Sequence, residues 1–407
     1  MYYHPSSTSN PWQFYNLYSY PRIISVNPYF YPYSSFFPRS FEEMWQSYNS
    51  SPAEYYSYSI PRERNQLGYP NVPQRDRPLL LPPPPPNLME AVRREKARKT
   101  IEYKWKKLYG APGKSISSSA FAVGAVEKVG DGYRIRYENG AIYTQNSGSA
   151  YWVHGLIGQK YDALGGVQSW LGFPISDEIP LQDGGRVSRF EKGEIYWWDG
   201  MDPIDLNEVT LTYTGTHCFG TTDGPGTDEV YAIISVIPPS GNTSTAMTKL
   251  YNDVDDGESL PDYIELYRGK PYGLNLNFVL FERDQGDPNV YKKTVESSVQ
   301  AAAGLITTAI GVVASPAAAA VAGPILVSLA PTVSKEINNL LGTADDFLGE
   351  STLPLSMKDM VQLATRPDEL VHNNQIRKKL ETHLLTGDGS SYKGYFNLHP
   401  APTLPTF

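Results

Sequence analysis

The sequence predicts a multi-domain, mainly β protein with helical parts, and three observations support this prediction. The composition changes after about residue 88, a segment within 101–203 repeats itself, and short alternating apolar runs follow from Glu208. These regions predict a disordered leader over 1–88, a basic helix with two α+β repeats over 89–203, and an antiparallel β-sandwich over 204–407.

The charge and the cysteine content exclude several classes of function. The chain has a formal net charge of −8, whereas phosphate binding needs concentrated Lys and Arg, so no nucleic-acid partner is expected. Its single cysteine, Cys218, excludes an intramolecular disulfide. The first residues lack a basic stretch followed by a continuous apolar one, which argues against a conventional secretion signal. A cell-surface or extracellular location therefore requires a non-standard export route.

The leader, residues 1–88, is rich in Tyr, Pro, Ser and Asn and ends in the run LLLPPPPPN. Proline lacks a backbone N–H and favours the polyproline II conformation, so this composition predicts an extended, disordered segment. Its many tyrosines leave two interpretations open, an idle tail or a segment that mediates self-association.

Residues 89–110 are dominated by helix-favouring and basic side chains. Attraction to a membrane through this basic surface is one interpretation. The favoured interpretation is a solvated helix that leads into the first repeat.

An internal repeat follows this helix. In each copy, an apolar and aromatic stripe with helical spacing precedes a loop and then a glycine turn that enters a strand. The first copy contributes Ile101, Lys104, Trp105, Leu108, Gly110 and the segment 137–143, which recur as Ile157, Lys160, Tyr161, Leu164, Gly166 and the segment 190–196.

The second copy contains the run Leu171-Gly172-Phe173-Pro174, then Asp177-Glu178, Gly185-Arg186 and Gly193-Glu194-Ile195-Tyr196-Trp197. These residues resemble the LGFP repeat family of bacterial cell-surface proteins, and the linking residues Trp152–Gly155 are similar to the join between repeats in that family. The first copy departs from the pattern, because Ala111-Pro112-Gly113 stands near the place of the LGFP run.

The resemblance implies anchoring to a cell-wall polymer or another surface polymer or glycan. Repeats of this family also pack radially, but two copies are too few to close a ring, which favours packing on the next domain. The predicted polymer-binding residues are Trp170, Trp197, Trp198 and Arg186. The alternative is that these aromatic side chains belong to the core.

The C-terminal half predicts an antiparallel β-sandwich, with strands such as Val209–Tyr213, Val230–Val236 and Leu274–Phe281 between turns rich in Gly, Pro, Asn and Asp. Acidic residues cluster beside the strand ends, where they repel one another unless solvent separates them or a cation bridges them. Calcium takes about six to eight oxygen ligands from such loops. The predicted metal ligands are Asp223, Asp228, Glu282, Asp284 and Asp346.

These loops resemble the C-two family of calcium-dependent, membrane-binding sandwiches. The match consists of an Asp before a glycine turn, a second Asp that opens a strand, an acid-X-Asp element after a later strand, and the step Asp346-Phe347-Leu348-Gly349. The resemblance implies calcium and a phospholipid membrane as partners. Glu282 departs from it, since Asp is usual there, and so does the long insert that follows Asp287.

The insert, about 290–342, has no charged residue between Glu296 and Lys335. Its composition predicts an αα-hairpin, with helices over about 291–314 and 324–341 separated by a Pro/Gly turn. One interpretation packs this hairpin against the sandwich. The other inserts it into a membrane, as in a membrane-active toxin.

No sequence pattern predicts an enzyme. His154, His217, His372 and His383 stand in unrelated contexts without a metalloprotease spacing. Cys218 follows His217, but adjacent residues of a strand point to opposite faces, which is poor geometry for a thiolate pair. The sequence therefore predicts a non-catalytic surface-binding protein. The alternatives are a membrane-active toxin or effector and a structural coat protein assembled through the leader.

Overall fold

The computed structural model describes residues 86–116, 126–145, 148–224, 226–283, 287–310, 327–335, 338–339 and 347–402. The leader predicted over 1–88 lies almost entirely outside these ranges, as do Asp284 and Asp346. The described chain is mainly β, with several antiparallel sheets and additional helices, as the sequence predicts.

The first repeat is a helix packed on an antiparallel meander. Its elements are α1 (Pro86–Lys107), β1 (Glu127–Val129), β2 (Gly132–Tyr137), β3 (Gly140–Thr144) and β4 (Ala150–Val153), with the strands paired in chain order. Ala97 and Ile101 of α1 are buried against Ile135 and Ile142 of the sheet. The alternating pattern of β2 and the helical spacing of α1 therefore meet in one small core.

The second repeat has the same order of elements. It consists of α2 (Gly155–Ala163), a short 3₁₀ turn (Gly166–Gln168), β5 (Ile179–Pro180), β6 (Arg186–Arg189), β7 (Glu194–Trp197) and β8 (Ile204–Leu206), again with strands paired in chain order. Its core includes Ile157 and Tyr161 of α2, which pack with Leu171, Phe190 and Ile195.

Hydrogen bonds establish how the degenerate first copy aligns with the second. The Trp105 indole N–H donates to the Gly113 carbonyl at 3.0 Å, and the Tyr161 hydroxyl donates to the Gly172 carbonyl at 2.6 Å. Both glycines have positive φ, 83° and 74°, a conformation that a side chain disfavours. Pro112-Gly113-Lys114-Ser115 therefore occupies the place of the LGFP run.

The helix of each copy is also held by an ion pair. Lys104 of α1 pairs with Asp177 of the second copy, and Lys160 of α2 pairs with Asp205 of β8 at 2.9 Å. The two lysines lie at matching points of the copies, whereas the two aspartates do not, because Asp205 on β8 corresponds to Trp152 on β4. Burial raises the pKa of the Asp205 carboxyl, but the Lys160 ammonium lowers it, and the pKa is below its usual value as a result.

The C-terminal half is a sandwich of antiparallel sheets. One sheet has the order β13-β9-β19-β18, and the other has the order β11-β10-β14-β15 with β12 also paired to β10. The strands are β9 (Val209–Gly220), β10 (Asp228–Ile237), β11 (Ser244–Met247), β12 (Tyr251–Val254), β13 (Ser259–Gly269), β14 (Leu274–Glu282), β15 (Phe347–Leu355), β18 (Leu380–Glu381) and β19 (Ser391–Pro400). Tyr213, Phe278 and Phe396 meet between the sheets.

Other elements cover the edges and ends of the sandwich. The hairpin of β16 (Glu369–Val371) and β17 (Ile376–Lys378) lies against β9 and β19, and helix α5 (Met357–Thr365) contacts β19 and β8. Ser356 begins α5 with a capping box, because its side chain and that of Asp359 satisfy each other's backbone N–H groups.

The described part of the apolar insert packs on the sandwich. Helix α3 (Pro288–Ile310) and the helical segment 327–335, here α4, lie over the outer face of β10 and β14. Val295 and Val299 are buried there beside Tyr231 and Phe281. No helix within the described ranges combines the length and the apolar character needed to cross a bilayer.

The second repeat shares its core with the sandwich through β7. Tyr196 and Trp198 belong to the same cluster as the sandwich strands, and Glu194 is only 1% exposed. The Glu194 carboxylate accepts hydrogen bonds from Lys270 and Tyr272 of the β13–β14 connection, both at 3.1 Å, and from Tyr196 at 3.0 Å. This carboxylate therefore bonds the repeat to the sandwich at their buried contact.

Replacing Glu194 with Ala is expected to lower the free energy of unfolding by about 3 kcal/mol, because it leaves the buried hydroxyls of Tyr196 and Tyr272 without their acceptor and removes one partner of the half-buried Lys270 ammonium. Chemical denaturation followed by fluorescence measures the change. Glu369→Ala is the control, since Glu369 is exposed and 3.9 Å from Lys378, and its loss should cost below about 0.5 kcal/mol. Equal losses in the two variants would contradict the structural role of Glu194.

Candidate functional site

The four residues predicted to bind a polymer lie in different environments. Trp170 is 37% exposed and donates its indole N–H to Asp205 at 3.0 Å. Arg186 is exposed and pairs with Glu178 at 3.2 Å. Trp197 is half-buried and pairs with Arg186 across β6 and β7. Two of the four, Trp170 and Arg186, therefore present their side chains to solvent.

Trp198 belongs to the core. It is 2% exposed, donates its indole N–H to Asp183 at 2.9 Å, and stacks with Tyr196. Adjacent strand residues point to opposite faces, so Trp197 and Trp198 lie on different sides of β7. The polymer-stacking role predicted for Trp198 therefore has no exposed ring to act through.

A polar cleft lies where the two repeats meet. One wall comes from β2, β3 and their turn in the first repeat, and the other comes from the link Trp152–Gly155 and the outer face of α2. The volume of this junction cleft is about 590 Å³, within the range of about 300–1,000 Å³ that is usual for ligand sites. The cleft needs both repeats, because neither contributes both walls.

The two copies differ at the edge of the cleft. Ala111 lines it at the point where the second copy has Trp170, the residue before the LGFP run. The Trp170 ring lies over Gly193, where a Cβ would be 2.5 Å from the ring. In the first copy the chain at Val153 and His154 lies over the matching Gly140, where a Cβ would be 2.8 Å from His154.

The lining mixes aromatic and hydrogen-bonding groups. Trp152 stacks on His154 at 3.7 Å and donates its indole N–H to the Asn139 carbonyl at 2.7 Å. Tyr143 forms part of the floor, and burial, with the Asp162 carboxylate as the second cause, raises the pKa of its hydroxyl. That hydroxyl therefore stays protonated at neutral pH.

Sequence reasoning did not identify the cleft residues. Gln159 and Asp162 are exposed on α2 and look like ordinary helix-surface residues. The sequence contained one sign of the cleft, namely that the first copy has Ala111 where the second copy has Trp170. This pairing of residues requires the first LGFP-like run to be placed at 112–115, and the hydrogen bond to the Gly113 carbonyl establishes that placement.

The predicted metal ligands are partly brought together. Asp228 is 2% exposed, and its carboxylate accepts hydrogen bonds from the Thr222 N–H and hydroxyl and from the Tyr392 hydroxyl. The Thr222 hydroxyl is also 3.5 Å from Glu282. Asp223 is exposed, and its backbone N–H donates to the Asp388 carbonyl at 2.9 Å. The Asp228 carboxylate therefore accepts hydrogen bonds from groups within the fold, whereas Asp223 faces solvent.

The other two predicted ligands, Asp284 and Asp346, lie outside the described residues. Within the part of the chain that the structure describes, no group of three or more His, Cys, Asp or Glu side chains is arranged to hold a metal ion.

Two histidines that are distant in sequence stack on each other. His217 of β9 and His372 of the β16–β17 turn lie 3.7 Å apart with an interplanar angle of 11°. The His372 Nε2 atom is 2.6 Å from the Tyr395 hydroxyl, and the His217 Nδ1 atom is 3.0 Å from the Ser259 hydroxyl. Cys218 is buried on the other side of the strand, as strand geometry predicts.

Comparison with known proteins identifies the repeats. The LGFP repeat family matches residues 121–169 and 171–201, which confirms the resemblance seen in the sequence. The match begins after α1, whereas the internal comparison places the start of the first copy at Ile101. A comparison with curated proteins finds no match to the chain. LGFP repeats are typical of cell-surface proteins, and their family is not a catalytic one. The first matched segment contains β1 to β4 and α2, and the second contains β5 to β7, so the strands and the helix that form the two walls of the junction cleft lie within the match.

The stacked histidines predict that acid destabilises the fold. Burial lowers the pKa of both rings below the usual 6.5, and the neighbouring His372 also lowers that of His217. The unfolded chain then binds more protons below about pH 6.5, so stability is complete above this pH and is lost as the pH falls. Thermal unfolding measured at about pH 7.5 and at about pH 5.5 tests this prediction, and the midpoint temperature should be lower at about pH 5.5.

The control variant is His372→Phe, which keeps an aromatic ring but cannot titrate. Its midpoint should depend less on pH than that of the wild type. Some dependence remains, because burial also lowers the pKa of His399. An unchanged slope would show that the stacked pair does not govern the acid sensitivity.

Proposed function

We propose that this protein is a non-catalytic surface-binding protein whose LGFP repeats recognise a cell-wall polymer or another surface polymer. The observation that carries the proposal is the family match over 121–169 and 171–201. Two features support it. Trp170 and Arg186 are exposed on the second repeat, and the buried Glu194 contact gives the repeats a firm support on the sandwich.

Binding of purified cell-wall polysaccharide to the whole chain tests this function. Trp170→Ala and Arg186→Ala should each weaken binding about tenfold, because each removes an exposed side chain able to contact a sugar. The whole chain is needed, since a fragment of residues 101–203 would expose Tyr196 and Trp198, which the sandwich covers. Co-sedimentation with the insoluble polymer gives the dissociation constant.

Matched controls come from the sandwich. Tyr263→Ala removes an exposed aromatic side chain and Arg366→Ala removes an exposed arginine, both outside the repeats. Their binding should equal that of the wild type. Absence of wild-type binding, or equal weakening by all four variants, would refute recognition through the repeats.

We also propose calcium binding at the end of the sandwich where the β9–β10 loop and the end of β14 meet. The supporting observation is that Thr222 contacts Asp228 and Glu282, which belong to different strands. Carboxylate oxygens are the ligands that calcium prefers. Asp223, Glu282 and the predicted ligands Asp284 and Asp346 would supply them, and a calcium-loaded end would attract an anionic phospholipid membrane.

Calorimetric titration of the whole chain with calcium chloride checks the cation site. Asp223→Asn should weaken uptake by removing one ligand charge, whereas Asp131→Asn, an exposed acid in the first repeat, should leave it unchanged. If the wild type takes up no calcium, the acidic loops are ordinary turns.

The alternatives make different demands on the fold. A membrane-active toxin has to expose Val295 and Val299 by lifting α3 from the sheet. A coat protein has to assemble through the leader, which lies outside the described residues. The packed position of α3 favours the surface-binding proposal.

A further inference from the structure

The junction cleft offers hydrogen-bonding groups that the fold does not use. Among the described residues, the Gln159 amide and the Asp162 carboxylate on α2 make no side-chain hydrogen bond or ion pair, although both line the cleft. Gly155, at the start of α2, has nothing within 4 Å of the position of a Cβ. The α2 wall thus presents polar groups beside open space.

The rest of the lining is partly aromatic and has no excess of positive charge. Tyr143 on the floor and the stacked Trp152–His154 pair of the link provide ring surface. Arg136 is the arginine of the lining, and its guanidinium is 3.6 Å from Glu127, which offsets its charge. The lining also includes the carboxylates of Glu138 and Asp162. A polyanion would be repelled by this combination, whereas an uncharged ligand would not.

We propose that the junction cleft binds an uncharged pyranose unit of the surface polymer. A pyranose presents C–H groups that pack on aromatic rings, and its hydroxyl groups both donate and accept hydrogen bonds. The Asp162 carboxylate accepts from such a hydroxyl, and the Gln159 amide both accepts and donates. The inference rests on the proposed function, because it assigns the place and the chemical class of the unit that the repeats hold.

The second repeat itself supplies a variant that should obstruct the cleft. Ala111→Trp places in the first copy the residue type that the second copy has at Trp170, and the bulky indole then stands at a lining position that alanine leaves open. Gln159→Ala removes a hydrogen-bonding group without filling the cleft. Gln168→Trp is the matched control, because Gln168 is exposed and lies outside the lining.

The test uses the whole chain and oligosaccharides released from the purified cell-wall polysaccharide by mild acid, separated by ion exchange into neutral and anionic pools. The neutral pool should bind the wild type. Ala111→Trp should lower the affinity for the neutral pool at least about tenfold, and Gln159→Ala should lower it by a smaller factor. Gln168→Trp should leave the affinity unchanged. Circular dichroism and the thermal midpoint establish that each variant is folded.

Three results would overturn the inference, and they separate it from the proposed function. If both cleft variants bind the polysaccharide as the wild type does, while Trp170→Ala or Arg186→Ala weakens binding, the repeats bind elsewhere and the proposed function stands. If only the anionic pool binds, the ligand class is wrong. If the wild type binds no wall polysaccharide, the proposed function fails and the cleft assignment fails with it.

Discussion

Strand β7 belongs to two hydrophobic cores, and this double burial governs how the repeats and the sandwich are arranged. Ile195 and Trp197 pack towards α2, whereas Tyr196 and Trp198 pack with the sandwich, because consecutive strand residues point to opposite faces. Glu194 falls on the sandwich side, where a lone carboxylate would be costly, and Lys270 with Tyr272 compensates it. The second repeat is therefore packed on the sandwich as part of one continuous core.

The two copies keep the same backbone contacts and differ in the side chains that surround them. The glycine with positive φ and the aromatic donor to its carbonyl are present in both copies. These features fix the fold of each unit, so they tolerate little change. The residue before the LGFP run, by contrast, sits at the rim, where Trp and Ala are both compatible with folding. Variation at such a position changes the shape of the surface without changing the fold.

Patterns of local spacing made the fold class and the repeats predictable. The strands containing 209–213, 230–236 and 274–281 and the helices of both copies follow from alternation and helical periodicity, which the structure confirms. Spatial relations between distant residues were not predictable in this way. The stacking of His217 on His372 depends on how a hairpin folds over β9, and the burial of Trp198 depends on which face of β7 meets the sandwich. The junction cleft depends on the register of a degenerate motif, which only its hydrogen bonds reveal.

The apolar character of α3 has a structural explanation that does not require a membrane. Strands β10 and β14 are nearly continuous runs of buried side chains, because one face meets the opposite sheet and the other face needs a cover. Val295, Val299, Ala302 and Ala303 of α3 provide that cover over Tyr231 and Phe281. Small residues let the helix approach the sheet closely, and a charge on this face would be buried without a partner. The small apolar residues of α3 are thus what a sheet buried on both faces requires.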